Sequence, residues 1–169
     1  EPVAARKMQR YLSELQQLLP GIPIQVAETQ VLAGKHFAVD QPVSLLTLMQ
    51  SQQRLAWVFD LITPHGYSGD IRLLVALEPQ QGRVLGIRIL EHRETPGLGD
   101  RIEPQHSPWL KQFLGLDATL PTLAWRWRRE GGRLDSLSGA TISALAVRKA
   151  IHRCSLFYVA NLQSLPTRH

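Results

Sequence analysis

Near the start of the chain apolar residues return at three- and four-residue steps: Met8, Tyr11, Leu12, Leu15, Leu18 and Leu19. That period predicts an amphipathic helix over 3–19, stopped by Pro20-Gly21. Residues 22–50 carry mixed signals, with 30–39 reading as extended and 43–53 as a short helix. The stretch 54–60 (RLAWVFD) reads as a strand, and TPHGYSGD turns the chain. Next come 70–77 (DIRLLVAL) and 83–92 (RVLGIRILEH), two strands joined by EPQQG as a hairpin. Both are apolar at nearly every position, the pattern of a sheet covered on both faces. ETPGLGD is a glycine-proline loop, 108–115 a short helix carrying Trp109 and Phe113, and LDATLPTL a linker. The stretch 124–129 (AWRWRR) alternates strictly and predicts a strand, turned by Gly131-Gly132. A last helix is expected over 142–162, with Val147, Ala150, Ile151, Cys154, Phe157 and Tyr158 on one face. The sum is one α+β domain, an antiparallel β core flanked by N- and C-terminal helices. Residues 1–28 read as an N-terminal amphipathic helix and linker, and 29–169 as the domain body.

Composition narrows the class. At 169 residues and 44% hydrophobic, the chain can bury one ordinary core. A charged fraction of 20% and four tryptophans argue against disorder. The net charge of +5 suits nucleic acid, an anionic membrane surface or an acidic partner. The basic residues look scattered, with only Arg126, Arg128 and Arg129 close together. One cysteine, Cys154, rules out an internal disulfide and a cysteine-based metal site. It occupies an apolar position of the last helix and reads as a buried structural thiol. No stretch is apolar enough to span a membrane and no signal peptide is seen. The chain opens at Glu1-Pro2, which reads as a processed or truncated product lacking an N-terminal anchor.

The candidate chemistry is sparse. WRWRR offers bases two tryptophans and phosphates its arginines, but strict alternation puts the tryptophans on one face and the arginines on the other. That favours core tryptophans and solvated arginines, and counts against nucleic-acid binding. The histidines (His36, His65, His92, His106, His152, His169) show no metal-binding spacing. His92 differs in ending a strand and opening the glycine-proline loop, where ligand-facing residues are common. GLGD at 97–100 is half of a dinucleotide fingerprint without its strand-turn-helix, so that reading is rejected. The glycines of the loop still let backbone approach a flat ligand closely. No serine-hydrolase elbow is present, so no catalytic residue is assigned. LSGATIS, before the last helix, has two readings. Asp135 or Ser138 is an N-cap, or the helix start, Gly139 and the hydroxyls of Ser138, Thr141 and Ser143 form a phosphate site.

DSLSGAT (135–141) matches Asp-x-x-(Ser/Thr)-Gly-Ala-Thr, the target motif of ApbE-type flavin transferases. Upstream, GYSGDIRLLVAL and GRVLGIRILEHRETPGLGDRIE resemble the FMN-binding domain of the G subunit of the Rnf electron-transport complex. The C subunit of the sodium-translocating NADH:quinone reductase is a more distant relative. With QRYLSELQQLLPGIP, the resemblance covers about 8–160. It implies an FMN-binding domain over 29–169, with FMN joined through its phosphate to Thr141. Asp135, Ser138, Gly139 and Ala140 would be read by the transferase. Glu94, Thr95, Gly97 and Leu98 would lie near the isoalloxazine ring, with His92 close by. Leu137 departs from the smaller or β-branched residue usual there. The implied role is electron relay in an ion-translocating ferredoxin:NAD oxidoreductase, without turnover of its own. Implied partners are the other Rnf subunits, the transferase and the inner membrane, reached through a missing N-terminal helix. Implied location is the periplasmic face of a bacterial inner membrane. A free-standing covalent-FMN domain and an unflavinylated scaffold module are the competing readings.

Overall fold

A computed structural model describes residues 2–92, 94, 99–103 and 107–165. Helix α1 (Val3–Leu18) is followed by strands β1 (Gln25–Leu32), β2 (Val43–Gln50), β3 (Gln53–Gly66), β4 (Gly69–Leu77) and β5 (Val84–Glu91), and helix α2 (Thr141–Phe157) closes the order. The strands form one five-stranded sheet in sequence order, every neighbour antiparallel. This is the α+β architecture that the apolar pattern predicts, helices at both ends included. No described helix is long and apolar enough to cross a membrane.

Successive strand residues point to opposite faces, and here each face is covered. Leu45, Trp57, Phe59, Leu61, Leu73 and Val75 face one core with Val147, Ile151 and Cys154 of α2. Leu46, Leu48, Ala56, Val58, Leu74 and Ala76 face the other, under Leu15 and Leu18 of α1. That is why the strands read as continuous apolar runs. A polar cluster also ties α1 to the sheet. Asp60 takes two bonds from Arg72, at 3.0 and 2.7 Å, and a 2.8 Å bond from the Tyr11 hydroxyl. Burial first, then the Asp60 charge, pushes the Tyr11 hydroxyl well above the ordinary tyrosine range.

Four expectations need correction. Residues 43–50 are strand β2, not a helix: burial on both faces removes the alternation, and such an apolar run fits either period. Its link to β3 is a two-residue turn with Ser51 at φ 49° and Gln52 at φ 64°. Turns of that type usually announce themselves with Asn-Gly or Asp-Gly, and Ser-Gln does not. Only part of 30–39 is extended, because Gly34–Phe37 forms a 3-10 turn. The turn expected across TPHGYSGD shrinks to Tyr67 and Ser68, since β3 runs on to Gly66. AWRWRR is not a strand. Thr122–Trp125 and Arg128–Glu130 are 3-10 turns, and Trp127 makes a single bridge to Leu134. The alternation itself holds: Trp125 and Trp127 are 2% and 3% exposed, while Arg126 and Arg128 are exposed. Here a loop dips every second side chain into the core.

The last helix matches its expected span, with Tyr158–Leu162 as a π-turn at its end. Cys154 is fully buried, and burial raises its thiol far above the ordinary range. Tyr158 is fully buried and packs edge-on against Trp57 at 5.9 Å. Its hydroxyl donates 2.7 Å to the Pro79 carbonyl, fastening α2 to the β4–β5 turn. Burial pushes that hydroxyl up to about 12. Tyr158→Phe leaves the carbonyl without this donor, so chemical denaturation is expected to show a loss of about 1–2 kcal/mol. An unchanged midpoint would mean that water replaces the bond.

Candidate functional site

Three elements converge where α2 begins. The β3–β4 turn supplies Tyr67 and Ser68. The loop after β5 supplies Glu94 and Gly99, and the approach to α2 supplies Gly139, Ala140 and Thr141. All of these but Ser68, together with Ile142 and Ser143, line a cavity of about 420 Å³, within the usual size range for small-molecule sites, roughly 300–1,000 Å³. Two crosslinks hold the parts in register. The Tyr67 amide donates 3.2 Å to the Ser143 hydroxyl, and the Ser68 amide donates 2.9 Å to Glu94 Oε2.

Glu94 is 6% exposed, and its Oε1 has no hydrogen-bond partner among the described residues. A buried, unsatisfied acceptor is costly, so a carboxyl oxygen left over on a cavity wall suits a ligand that brings a donor. Gly99 packs directly on this side chain: a Cβ there would stand 2.7 Å from the Glu94 Cβ. His92 acts from behind. Its Nδ1 accepts from the Glu94 amide at 3.0 Å, and its Nε2 lies 3.3 Å from Glu103. The ring therefore fixes the Glu94 backbone and lines a neighbouring cleft with Arg72 and Glu91, not this cavity. Thr95, Gly97 and Leu98 lie outside the described residues.

The LSGAT segment is locked from both ends. Leu137 is 7% exposed and anchors it in the core. Asp135 is clamped through its backbone: its carbonyl accepts from Trp109 Nε1 at 2.8 Å and from Gln112 at 3.0 Å, and its amide donates 2.7 Å to Gln112 Oε1. Its exposed carboxylate pairs with Arg128 at 2.9 Å, and that bond holds it below the ordinary aspartate range. The Ser138 carbonyl accepts from Arg101, which reaches across from the loop after β5. Gly139 takes φ 80°, a left-handed conformation open to glycine at little cost.

Neither Asp135 nor Ser138 caps the helix. Ala140 holds the N-cap position and no side-chain cap bond is formed, so the capping reading fails. Thr141 is the first helical residue, at the positive end of the helix dipole, and it is exposed. Ser143, counted among the available hydroxyls from the sequence, is fully buried and occupied by Tyr67. Thr141, Ser138 and Gly139 also line a second cleft of about 330 Å³, with Arg128, Arg129 and Asp135 on its far wall. Thr141 thus stands on the ridge between two clefts. Sequence reasoning missed Tyr67, Gly99, Ile142 and Arg101 as neighbours of the site. The only local signal was the turn at YSGD, and nothing in one strand order says which turn meets which helix.

Beyond the second cleft lies a crowd of cations. The Arg148 guanidinium is buried, 4.4 Å above the Trp127 ring and 3.7 Å from Glu130. His152 stacks on Trp125 at 4.7 Å. Burial first, then Arg148, Arg153 and Arg126, lowers His152 from 6.5 to about 4. Among the described residues no group of three or more His, Cys, Asp or Glu is arranged to hold a metal ion.

Comparison with known proteins bears on this site. Residues 66–155 match the FMN-binding domain family. The chain is 38% identical over 140 residues to the G subunit of the ion-translocating oxidoreductase complex of Pseudomonas aeruginosa, covering 82% of this chain and 65% of that one. Against the G subunit of Haemophilus influenzae it is 44% identical over 117 residues, covering 67% and 56%. Against that of Cereibacter sphaeroides it is 39% identical over 153 residues, covering 90% and 69%. The chain thus spans less than two thirds of the Pseudomonas and Haemophilus relatives. Its fold is similar to the crystal structure of Shewanella oneidensis NqrC, with a TM-score of 0.54 at 22% identity, over 75% of this chain and 64% of that one.

The depressed His152 gives the pH response a sign. Above 6.5 the ring is neutral folded and unfolded; between 6.5 and about 4 only the unfolded chain takes the proton. This contribution to stability is therefore fully present above 6.5 and is lost as the pH falls toward 4. The ring is partly exposed, so screening reduces the loss to about 1 kcal/mol. Urea unfolding at about pH 7 and about pH 5 is expected to show a smaller drop for His152→Gln than for the unaltered chain.

Proposed function

Since the chain belongs to the FMN-binding domain family, we propose that it is the electron-carrying flavoprotein domain of an ion-translocating oxidoreductase complex, with FMN esterified through its phosphate to Thr141. The observation that carries this reading is the placement of Thr141. An exposed threonine opens an uncapped helix on the rim of a cavity of about 420 Å³, and a buried carboxyl on the wall has an oxygen to spare.

The residues present fit such a group. Thr141 Oγ1 is the attachment atom. The helix start beneath it supplies unpartnered amides and a positive dipole end for the phosphodiester. Tyr67, Ala140 and Ile142 give the cavity apolar surface for a ring. Glu94 offers an acceptor to a ring or ribityl donor, with His92 fixing its backbone and Ser68 holding its other oxygen. FMN, when bound, supplies the electron-accepting and electron-releasing chemistry. The chain's own contribution is to hold the group at one place and limit its contact with water. We assign Asp135, Ser138, Gly139 and Ala140 to recognition by an ApbE-type transferase. Asp135 and Ser138 are exposed, and the backbone clamp on Asp135 presents them in a fixed shape. The same reading places the domain on the periplasmic face of the bacterial inner membrane, beside the other subunits.

The test is intact-mass spectrometry of the denatured chain after co-expression with an active flavin transferase. The expected gain is one FMN less one water, absent in Thr141→Ala. An unchanged mass in the unaltered chain, or a gain retained by Thr141→Ala, would overturn the covalent assignment.

A further inference from the structure

The net charge of this chain is not spread over it. Residues 126–153 hold seven Lys or Arg against Glu130 and Asp135, an excess of five, equal to the net charge of +5 for the whole chain. Everything outside that stretch balances. The same stretch carries Thr141 and the wall of the second cleft.

The fold brings arginines of the 126–129 loop up against Arg148 of the last helix. Arg128 and Arg129 line the cleft beside Thr141. Arg126, Arg133 and Lys149 are exposed, with no ion pair among the described residues. Burial lowers both Arg148 and His152 first, and neighbouring cations add to it: Arg126 and Arg129 at Arg148, and Arg148, Arg153 and Arg126 at His152. Like charges held this close oppose folding, so the arrangement needs a reason outside the fold. Two apolar side chains stand in the same region, Leu123 at 58% and Ile142 at 52% exposed. An apolar contact within a charged rim is the composition of a protein interface. Nucleic acid fits less well, because Trp125 and Trp127 are buried and present no stacking surface.

We propose that residues 126–153 form the docking face for an acidic protein surface, that of the redox partner which would exchange electrons with the flavin proposed at Thr141. This rests on the electron-carrier reading only for the partner's redox role; the charge complementarity stands without it. Such contacts are small, below about 1,200 Å², and are steered by opposite potentials, which raises association rates and makes them salt-sensitive. Placing the field beside the attachment residue brings the partner in at the one position where transfer is short.

The experiment uses the complex purified with its other subunits, with a photo-crosslinking side chain in place of Leu123, which is exposed beside Gly131 and lines neither cleft. A light-dependent crosslink is expected to partner segments of net negative charge. Its yield is expected to fall as ionic strength rises from about 0.01 to about 0.1 M, where the Debye length shortens from about 30 to about 10 Å. Arg126→Glu/Arg129→Glu/Lys149→Glu should lower the yield about tenfold. The matched change Arg6→Glu/Lys7→Glu/Arg10→Glu at the far helix should leave it unaltered, which separates local from global charge. An equal loss in both variants, no loss in either, or crosslinks to neutral or basic segments would overturn the proposal. So would binding of the unaltered chain to anionic phospholipid vesicles that the first variant loses, which would make the face a membrane contact. Thr141→Ala keeps the reading separable from the flavin: the crosslink is expected to persist there even though no FMN is attached.

Discussion

The molecule depends on one arrangement: a single antiparallel sheet with a helix over each face. Because odd-numbered side chains of β3 and β4 are buried beneath α2, the helix cannot shift along the sheet without tearing open the larger core. That fixes where α2 begins. The β3–β4 turn ends beside the same point, and the Tyr67 amide bonded to Ser143 joins the two. The candidate site is therefore a property of packing. Its geometry is set by leucines and tryptophans far from any ligand, and the polar residues at the rim inherit it.

Polar interactions divide along the same line. Those within the rim are structural: Trp109 and Gln112 on Asp135, Arg101 on Ser138, His92 on Glu94. Each fixes a backbone group and leaves a side chain or an edge presented outward. Glu94 is the exception, with one oxygen bound and one spare. A buried acceptor left open on a cavity wall suits a ligand that brings a donor.

Much of this was legible in the residues. The helix at 3–19, the hairpin of β4 and β5 and the last helix follow from periodicity and turn chemistry. The burial of Trp125 and Trp127 follows from alternation, although the element carrying them is a loop. Strand β2 was hidden for a physical reason, since a segment buried on both faces loses its period and Ser51-Gln52 is not a turn sequence. At the site, Thr141 was visible because a helix start, a glycine and hydroxyls coincide in a known motif. Tyr67, Gly99 and Arg101 were not, because their role comes from tertiary proximity between segments that share no pattern. Along the sequence the basic residues look scattered, although residues 126–153 hold the whole excess. Its significance depended on the fold bringing arginines of a loop and of a helix onto one side.

Thr141 carries a further consequence in its extra methyl. Two clefts meet at this residue, so a group esterified to its oxygen, as proposed, would have two directions to fall. A threonine is stiff about its first side-chain bond, since the branch at Cβ leaves few staggered positions open beside a helix. Serine would offer the same oxygen on a free rotor. Threonine turns that rotor into a hinge with stops, and a group held on such a hinge would keep its address.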